Sequence, residues 1–325
     1  MTLDLIGYSA FFLTAALTYG LICLGLNLQW GQTGLFNVGI AGFVAIGAYT
    51  SALLTTPDMP GRFGGFDLPI IVGWLAATGV SGLAALLVGT VTLRLRSDYF
   101  AITTFGVAIS IQLVALNFQG LTGGPFGVAF IPRPFAVLQG NALAFNIANF
   151  LLVAVVTLIV FIGLEQLVRG PWGRVLRSIR EDETAAAAIG KSARVYRLQA
   201  FVLGSAIMGL AGAMQGHFIG FIAPDNYLST LTFQVWAMLI IGGAGNNRGA
   251  ILGAVAVWGL WSASSALTAA IFPPDQQARA ASLQIVAIGV LLAVVLVLRP
   301  RGLLAERMAV SRFVSSTRNS VSRRG

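Results

Sequence analysis

The sequence predicts an all-α bundle of transmembrane helices, and three observations predict it. Hydrophobic residues make up 57% of the 325 residues and charged residues only 10%, whereas a soluble chain carries about 25% charged residues. Mean hydropathy is +0.84. Apolar stretches near the roughly 20 residues needed to cross a bilayer recur along the chain. Finally, sixteen of the twenty Lys and Arg residues fall at 94–96, at 169–197 and from 299 onward. That bunching is the pattern of cytoplasmic loops under the positive-inside rule, so the net charge of +9 does not argue for nucleic acid.

Candidate spans run over 5–28, 34–55, 69–93, 99–118, 147–168, 198–222, 231–245, 249–272 and 283–298. Eight to ten crossings fit, with nine the best match. Nine puts the N-terminus outside and all three basic clusters inside. The first thirty residues have no Lys or Arg ahead of the apolar run, and a signal peptide begins with a basic region, so the first span is expected to be retained. Its Cys23 is the single cysteine, which leaves no disulfide framework or cysteine metal cluster.

Between the first two spans lies Gln29-Trp30-Gly31-Gln32-Thr33-Gly34, continuing to Asn37 and Gly39. Two readings are open. One is a tight surface turn. The other is a broken helix inside the membrane, where freed backbone groups need protein or a wet cavity and often mark a substrate site. On the third span Gly73, Ala77, Ser81, Ala85 and Gly89 recur every fourth residue, and Gly212, Gly216 and Gly220 do so on the sixth. Such small-residue faces let helices approach closely in lipid. The fourth span carries the best polar face for a path, from Tyr99 through Thr103 and Thr104 to Asn117.

The loop 169–197 opens at Pro171-Trp172-Gly173. It repeats Arg174, Arg177 and Arg180, then reads Glu181-Asp182-Glu183 before four alanines, Ile189 and Gly190. A short amphipathic helix with charged ends and a small-residue middle is expected, with Gly190 ending it. The segment 185–192 is close to a phosphate-binding loop, but Ala185 stands where that loop needs its first Gly and helix formers precede it. ATP binding by this chain is therefore not expected. Residues 1–305 form the membrane domain, and 306–325 a basic cytoplasmic tail expected to be disordered.

Chemistry is scarce. All eleven acidic residues sit in loops or near span ends, so no midplane carboxylate serves ion coupling. His217 is the only histidine, which excludes a His-based metal cluster or triad. No catalytic residue, metal site or bound cofactor is expected.

Several segments together carry a family resemblance. They are G-Q-T-G-L-F-N-V-G-I-A-G-F-V-A-I-G-A-Y at 31–49, R-L-R-S-D-Y-F-A-I-T-T-F-G at 94–106, L-T-G-G-P-F-G at 121–127, S-I-R-E-D-E-T-A-A-A-A-I-G at 178–190, I-I-G-G-A-G-N-N-R-G-A-I-L-G-A at 240–254 and R-P-R-G-L-L at 299–304. In this order they resemble LivM-type permeases of branched-chain amino acid ABC importers. The resemblance implies a multi-pass protein of a bacterial inner membrane, paired with a second related permease. It further implies two ABC ATPases that hold ATP and Mg, and a periplasmic substrate-binding protein. By matching position, Arg177, Arg180, Glu181, Asp182, Glu183, Ala187 and Gly190 would form the ATPase-coupling helix. Gln32, Thr33, Asn37, Tyr99, Thr103, Thr104 and Asn117 are candidates to line the path. Asn37-Val38-Gly39-Ile40 departs from the family's common Ser-Leu-Gly-His. The alternatives are a urea or short-amide importer and, from another class, an ion-coupled secondary carrier.

Overall fold

The computed structural model describes residues 2–58, 63–271, 282, 286, 289–290, 294 and 302–304. These residues form helices joined by short connections, with no β-strand among them. The helix α1 (Thr2–Leu26) runs on through a π-helical turn at Asn27–Gly31. It is followed by α2 (Ile40–Thr55), α3 (Ile70–Thr92), α4 (Ser97–Asn117) and the one-turn α5 (Gln119–Thr122). Next come α6 (Ala142–Arg169), α7 (Pro171–Glu181) and α8 (Glu183–Ala188). The last three are α9 (Ala193–Ile219), α10 (Ser229–Gly242) and α11 (Asn247–Ile271).

Six helices are long and apolar enough to cross a membrane: α1, α3, α4, α6, α9 and α11. The two others at expected spans, α2 and α10, are apolar but have only 16 and 14 residues. The chain is thus a helical membrane bundle with six helices of spanning length among the described residues, against nine expected. The second span begins at Ile40 and not at 34, because Gly34 takes φ +73° and residues 34–39 run without helix. The ninth candidate, 283–298, and the tail 306–325 lie outside the described residues apart from isolated positions.

α9 packs against α2, α3 and α1, while α6 and α11 pack on the other side of α1. The regular small face of α3 is its buried face. Gly73 meets Ser51 and Thr55 of α2, and Gly89 meets Leu198 and Phe201 of α9. Contact between α2 and α9 is closer still. A Cβ on Gly47 would collide with the Gly209 carbonyl, and one on Gly212 with the Val44 carbonyl. Backbone-to-backbone packing of this kind supplies the dispersion contacts that hold helices together in lipid. Gly220 departs from the predicted stripe: it ends α9 in the left-handed conformation. A bridge between Val128 and Ile222 then ties the α5–α6 and α9–α10 connections together.

Candidate functional site

The link between α1 and α2 is neither a surface turn nor an open cavity. Asn27, Gln29, Gln32, Thr33 and Asn37 are all buried, at 1% exposure or less. The π turn widens the end of α1, and the chain then folds back, with Gly34 N–H bonding to the Trp30 carbonyl at 2.9 Å and Leu35 N–H to the Gln29 carbonyl at 3.0 Å. The polar side chains bond outward to distant segments. Gln29 Nε2 donates to the Phe201 carbonyl at 2.9 Å and to Ser205 Oγ at 3.1 Å, both on α9. Its Oε1 accepts from Asn37 Nδ2 at 2.8 Å. Asn37 Oδ1 accepts from the Gly39 N–H at 2.7 Å, a local turn typical of Asn, and its carbonyl accepts from Trp236 Nε1 on α10. Thr33 Oγ1 donates to the Gln29 carbonyl.

A second branch reaches the α10–α11 connection. Asn27 Oδ1 accepts from Gly245 N–H, and its Nδ2 donates to Asn247 Oδ1, each at 2.8 Å. Asn247 Nδ2 donates to Glu165 Oε2 on α6 at 3.0 Å. Gln32 Nε2 donates to the Gly245 carbonyl at 3.0 Å. Buried polar groups cost about 1–3 kcal/mol each when left unpaired, so this network fixes how five helices meet. Of its members the sequence reading named Gln32, Thr33 and Asn37 as path residues. Gln29 was noted only as the start of that polar run, and Asn27, Ser205, Glu165 and Asn247 were missed. The only signal available was the Gly-bracketed polar run itself.

The α4 residues divide. Thr104 is buried, and its Oγ1 accepts from the Val38 N–H at 3.1 Å, pinning α4 to the start of α2. Thr103 is half-buried and Asn117 exposed, and each bonds back to its own helix, to the Tyr99 and Leu113 carbonyls. Tyr99 is 62% exposed, and Gly106 faces open space. Tyr99, Ile102, Gly106, Ser110 and Asn117 thus share one exposed stripe at helical spacing, with half-buried Thr103 at its edge.

The 169–197 loop is an elbow of two helices. In α7, Gly173, Leu176 and Ile179 are buried, while Arg174 is exposed. The single helix expected through Gly190 is interrupted at Asp182. This residue leaves helical geometry (φ −151°, ψ 105°) and caps α8, its carboxylate accepting from Thr184 N–H at 2.9 Å and Ala185 N–H at 3.0 Å. Those bonds hold its carboxyl below the usual carboxylate range. Gly190, at φ +76°, closes α8 with paired bonds from Gly190 N–H to the Ala187 carbonyl and from Lys191 N–H to the Ala186 carbonyl.

Arg177 and Arg180 point inward. Arg180 donates to the Gly31 carbonyl at the end of α1, where a cation also complements the helix dipole. Arg177 Nη1 lies 3.5 Å from Gln32 Oε1 and donates to the Val168 carbonyl at 3.3 Å. Glu183 pairs with Arg197 of α9 at 2.6 Å. What remains outward is Glu181, Asp182, Ala185, Ala187, Ala188, Ile189 (70% exposed) and Gly190. His217 is a packing residue between Ser51 Oγ (2.8 Å) and the Pro132 carbonyl (2.7 Å). That carbonyl can only accept, so Nδ1 carries the proton. Among the described residues no group of three metal-ligating side chains occurs.

Residues 8–298 match the family described as branched-chain amino acid transport system / permease component. The chain belongs to that family. Among curated relatives, the high-affinity branched-chain amino acid transport system permease protein LivM of Escherichia coli is 34% identical over 263 residues, which are 74% of this chain and 60% of the relative. The probable LivM of Methanocaldococcus jannaschii is 26% identical over 72% of this chain and 75% of the relative. LivH of Escherichia coli, also named a permease protein, is 25% identical over 74% of this chain and 79% of the relative. This permease-family chain therefore spans 60% of the length of the first relative it matches. No solved structure matches it.

Proposed function

We propose that the chain is the LivM-type permease subunit of an ABC importer for branched-chain or related amino acids, in a bacterial inner membrane. Its function is transport, not catalysis. The family membership supports the class, and the observation that carries the working mechanism is the α7–α8 elbow. That elbow is bolted to the end of α1 through Arg177 and Arg180, and it presents Ala185, Ala187, Ala188 and Ile189 outward. An ABC ATPase, which would hold the ATP and Mg, docks on this small-residue rim beside Glu181, Asp182 and Gly190. Closure of two such ATPases pushes the elbow, and the Arg contacts pass the displacement to the α1–α2 break. Two states are distinguished only by different contacts in each, and a rigid link of this kind supplies them.

The exposed stripe of α4, with Tyr99, Thr103 and Asn117, lines the path opposite a second related permease, and a periplasmic binding protein delivers the amino acid. In this reading Gln32, Thr33, Asn37 and Thr104 position the path from behind. The chain crosses nine times with its N-terminus outside. A 16-residue α2 rises about 24 Å, short of a hydrocarbon core of about 30 Å. The non-helical residues 34–39, of which Leu35, Asn37 and Gly39 are buried in protein, complete that crossing.

The test is affinity purification of the full chain from mild detergent with partners identified by mass spectrometry. An ATPase and a second permease are expected, and Ile189→Asp should lower ATPase recovery about tenfold, as for a buried interface anchor. A stable chain recovered alone, able to move solute under an ion gradient, would replace this reading with a secondary carrier.

A further inference from the structure

At the end of α6 the elbow and the α10–α11 connection enclose a cavity of about 370 Å³. Its polar walls come from Glu165 and Arg169 of α6, Arg177 of α7, and Asn247 and Arg248 of α11; Leu303 closes an apolar side. The charges do not cancel. Glu165 is fully engaged: Oε1 accepts from Arg169 Nε and Nη2 at 3.0 and 2.7 Å, and Oε2 accepts from Asn247. Arg177 bonds only to neutral oxygens. Arg248 makes no side-chain hydrogen bond or ion pair with the described residues. Two guanidinium charges therefore face one cavity without a counter-anion among the described residues, and the positive end of the 25-residue α11 adds to their field.

We propose that this cavity binds the phosphate of an anionic phospholipid headgroup. Guanidinium forks suit phosphate oxygens. The basic cluster places the cavity at the cytoplasmic interface, where anionic lipid concentrates. One rim continues into apolar surface that acyl chains can cover: Leu252, one turn along α11 from Arg248, is 48% exposed. A soluble phosphate would satisfy the same cations but would leave that surface bare. The proposal depends on the membrane placement of α6 and α11, not on the importer reading, so it stands or falls separately from the partner purification.

Native mass spectrometry of the full chain in neutral detergent, with phosphatidylglycerol or phosphatidylcholine added at equal concentration, tests it. Retention of phosphatidylglycerol should exceed that of phosphatidylcholine about tenfold, and Arg248→Gln should cut the preference about fivefold, whereas Arg248→Lys should keep most of it. Equal retention of the two lipids, or an undiminished preference in Arg248→Gln, overturns the site. Thermal stabilisation by inorganic phosphate without stabilisation by phosphatidylglycerol overturns the lipid and assigns a soluble anion.

Discussion

At the α1–α2 break, Gln29 and Asn37 are wholly buried and bond to α9, to each other and to α10. On α4, half-buried Thr103 and exposed Ser110 and Asn117 each bond to a carbonyl of their own helix four residues back. Both regions place polar side chains within or beside helices long and apolar enough to cross a membrane. The first uses them to specify which segments meet, since each group is satisfied only in one arrangement. The second satisfies them locally and leaves the helix face free to meet different neighbours in turn. A transporter needs both kinds of region: an arrangement that holds and a surface that exchanges partners.

The comparison breaks most visibly at Gln29. Gln29→Leu removes the partner of Asn37 Nδ2 and three hydrogen bonds in all, so a loss of about 3 kcal/mol is expected, read as a lowered unfolding midpoint in detergent. An unchanged midpoint would mean that water already reaches the break. Thr104→Val leaves the Val38 N–H unpaired and should cost about 1.5 kcal/mol by the same measurement. Thr103→Val, one residue away, should change stability by less than about 0.5 kcal/mol yet lower uptake by the reconstituted importer. Normal uptake in that variant would remove Thr103 from the path.

The smallest effect belongs to the elbow, where Asp182 caps α8. Its carboxyl is depressed by the Ala185 and Thr184 N–H groups. The cap is therefore in full force above the ordinary aspartate range and is lost only as pH falls through the depressed value. Protection of the Thr184 and Ala185 amides, taken against the intrinsic exchange rate at each pH, should be flat from neutral to mildly acidic pH and fall only in stronger acid. Asp182→Ala should show the low protection at every pH.

The spans were legible because apolar length is a direct physical requirement of the bilayer: 69–93 was expected and α3 occupies Ile70–Thr92. The smooth face of α3 was legible for the same reason, since its period matches the helix. The nature of the α1–α2 link was not, because a surface turn and a buried break share one composition, polar residues among glycines. Their difference lies in partners such as Phe201 and Ser205 that no local pattern reveals. The inward turn of Arg177 and Arg180 was hidden likewise: repeating arginines on an amphipathic helix look the same whether they meet a partner protein or the carbonyl end of α1. The elbow at Asp182 did leave a trace. An Asp ahead of Thr and a run of alanines is a helix-start signal, and it marks a second helix where one was expected.

The partner of Gln29 lies 172 residues further along the chain. During synthesis, α1 and its polar break leave the ribosome long before α9 exists. Until then Gln29 has no Phe201 or Ser205 to bond, and Asn37 has no Trp236. Hydrocarbon would penalise those bare groups heavily. The break is therefore tolerated early only where water reaches it, and α9 and α10 replace that water when they arrive. Chains cut short before residue 201 should leave Gln29 and Asn37 hydrated.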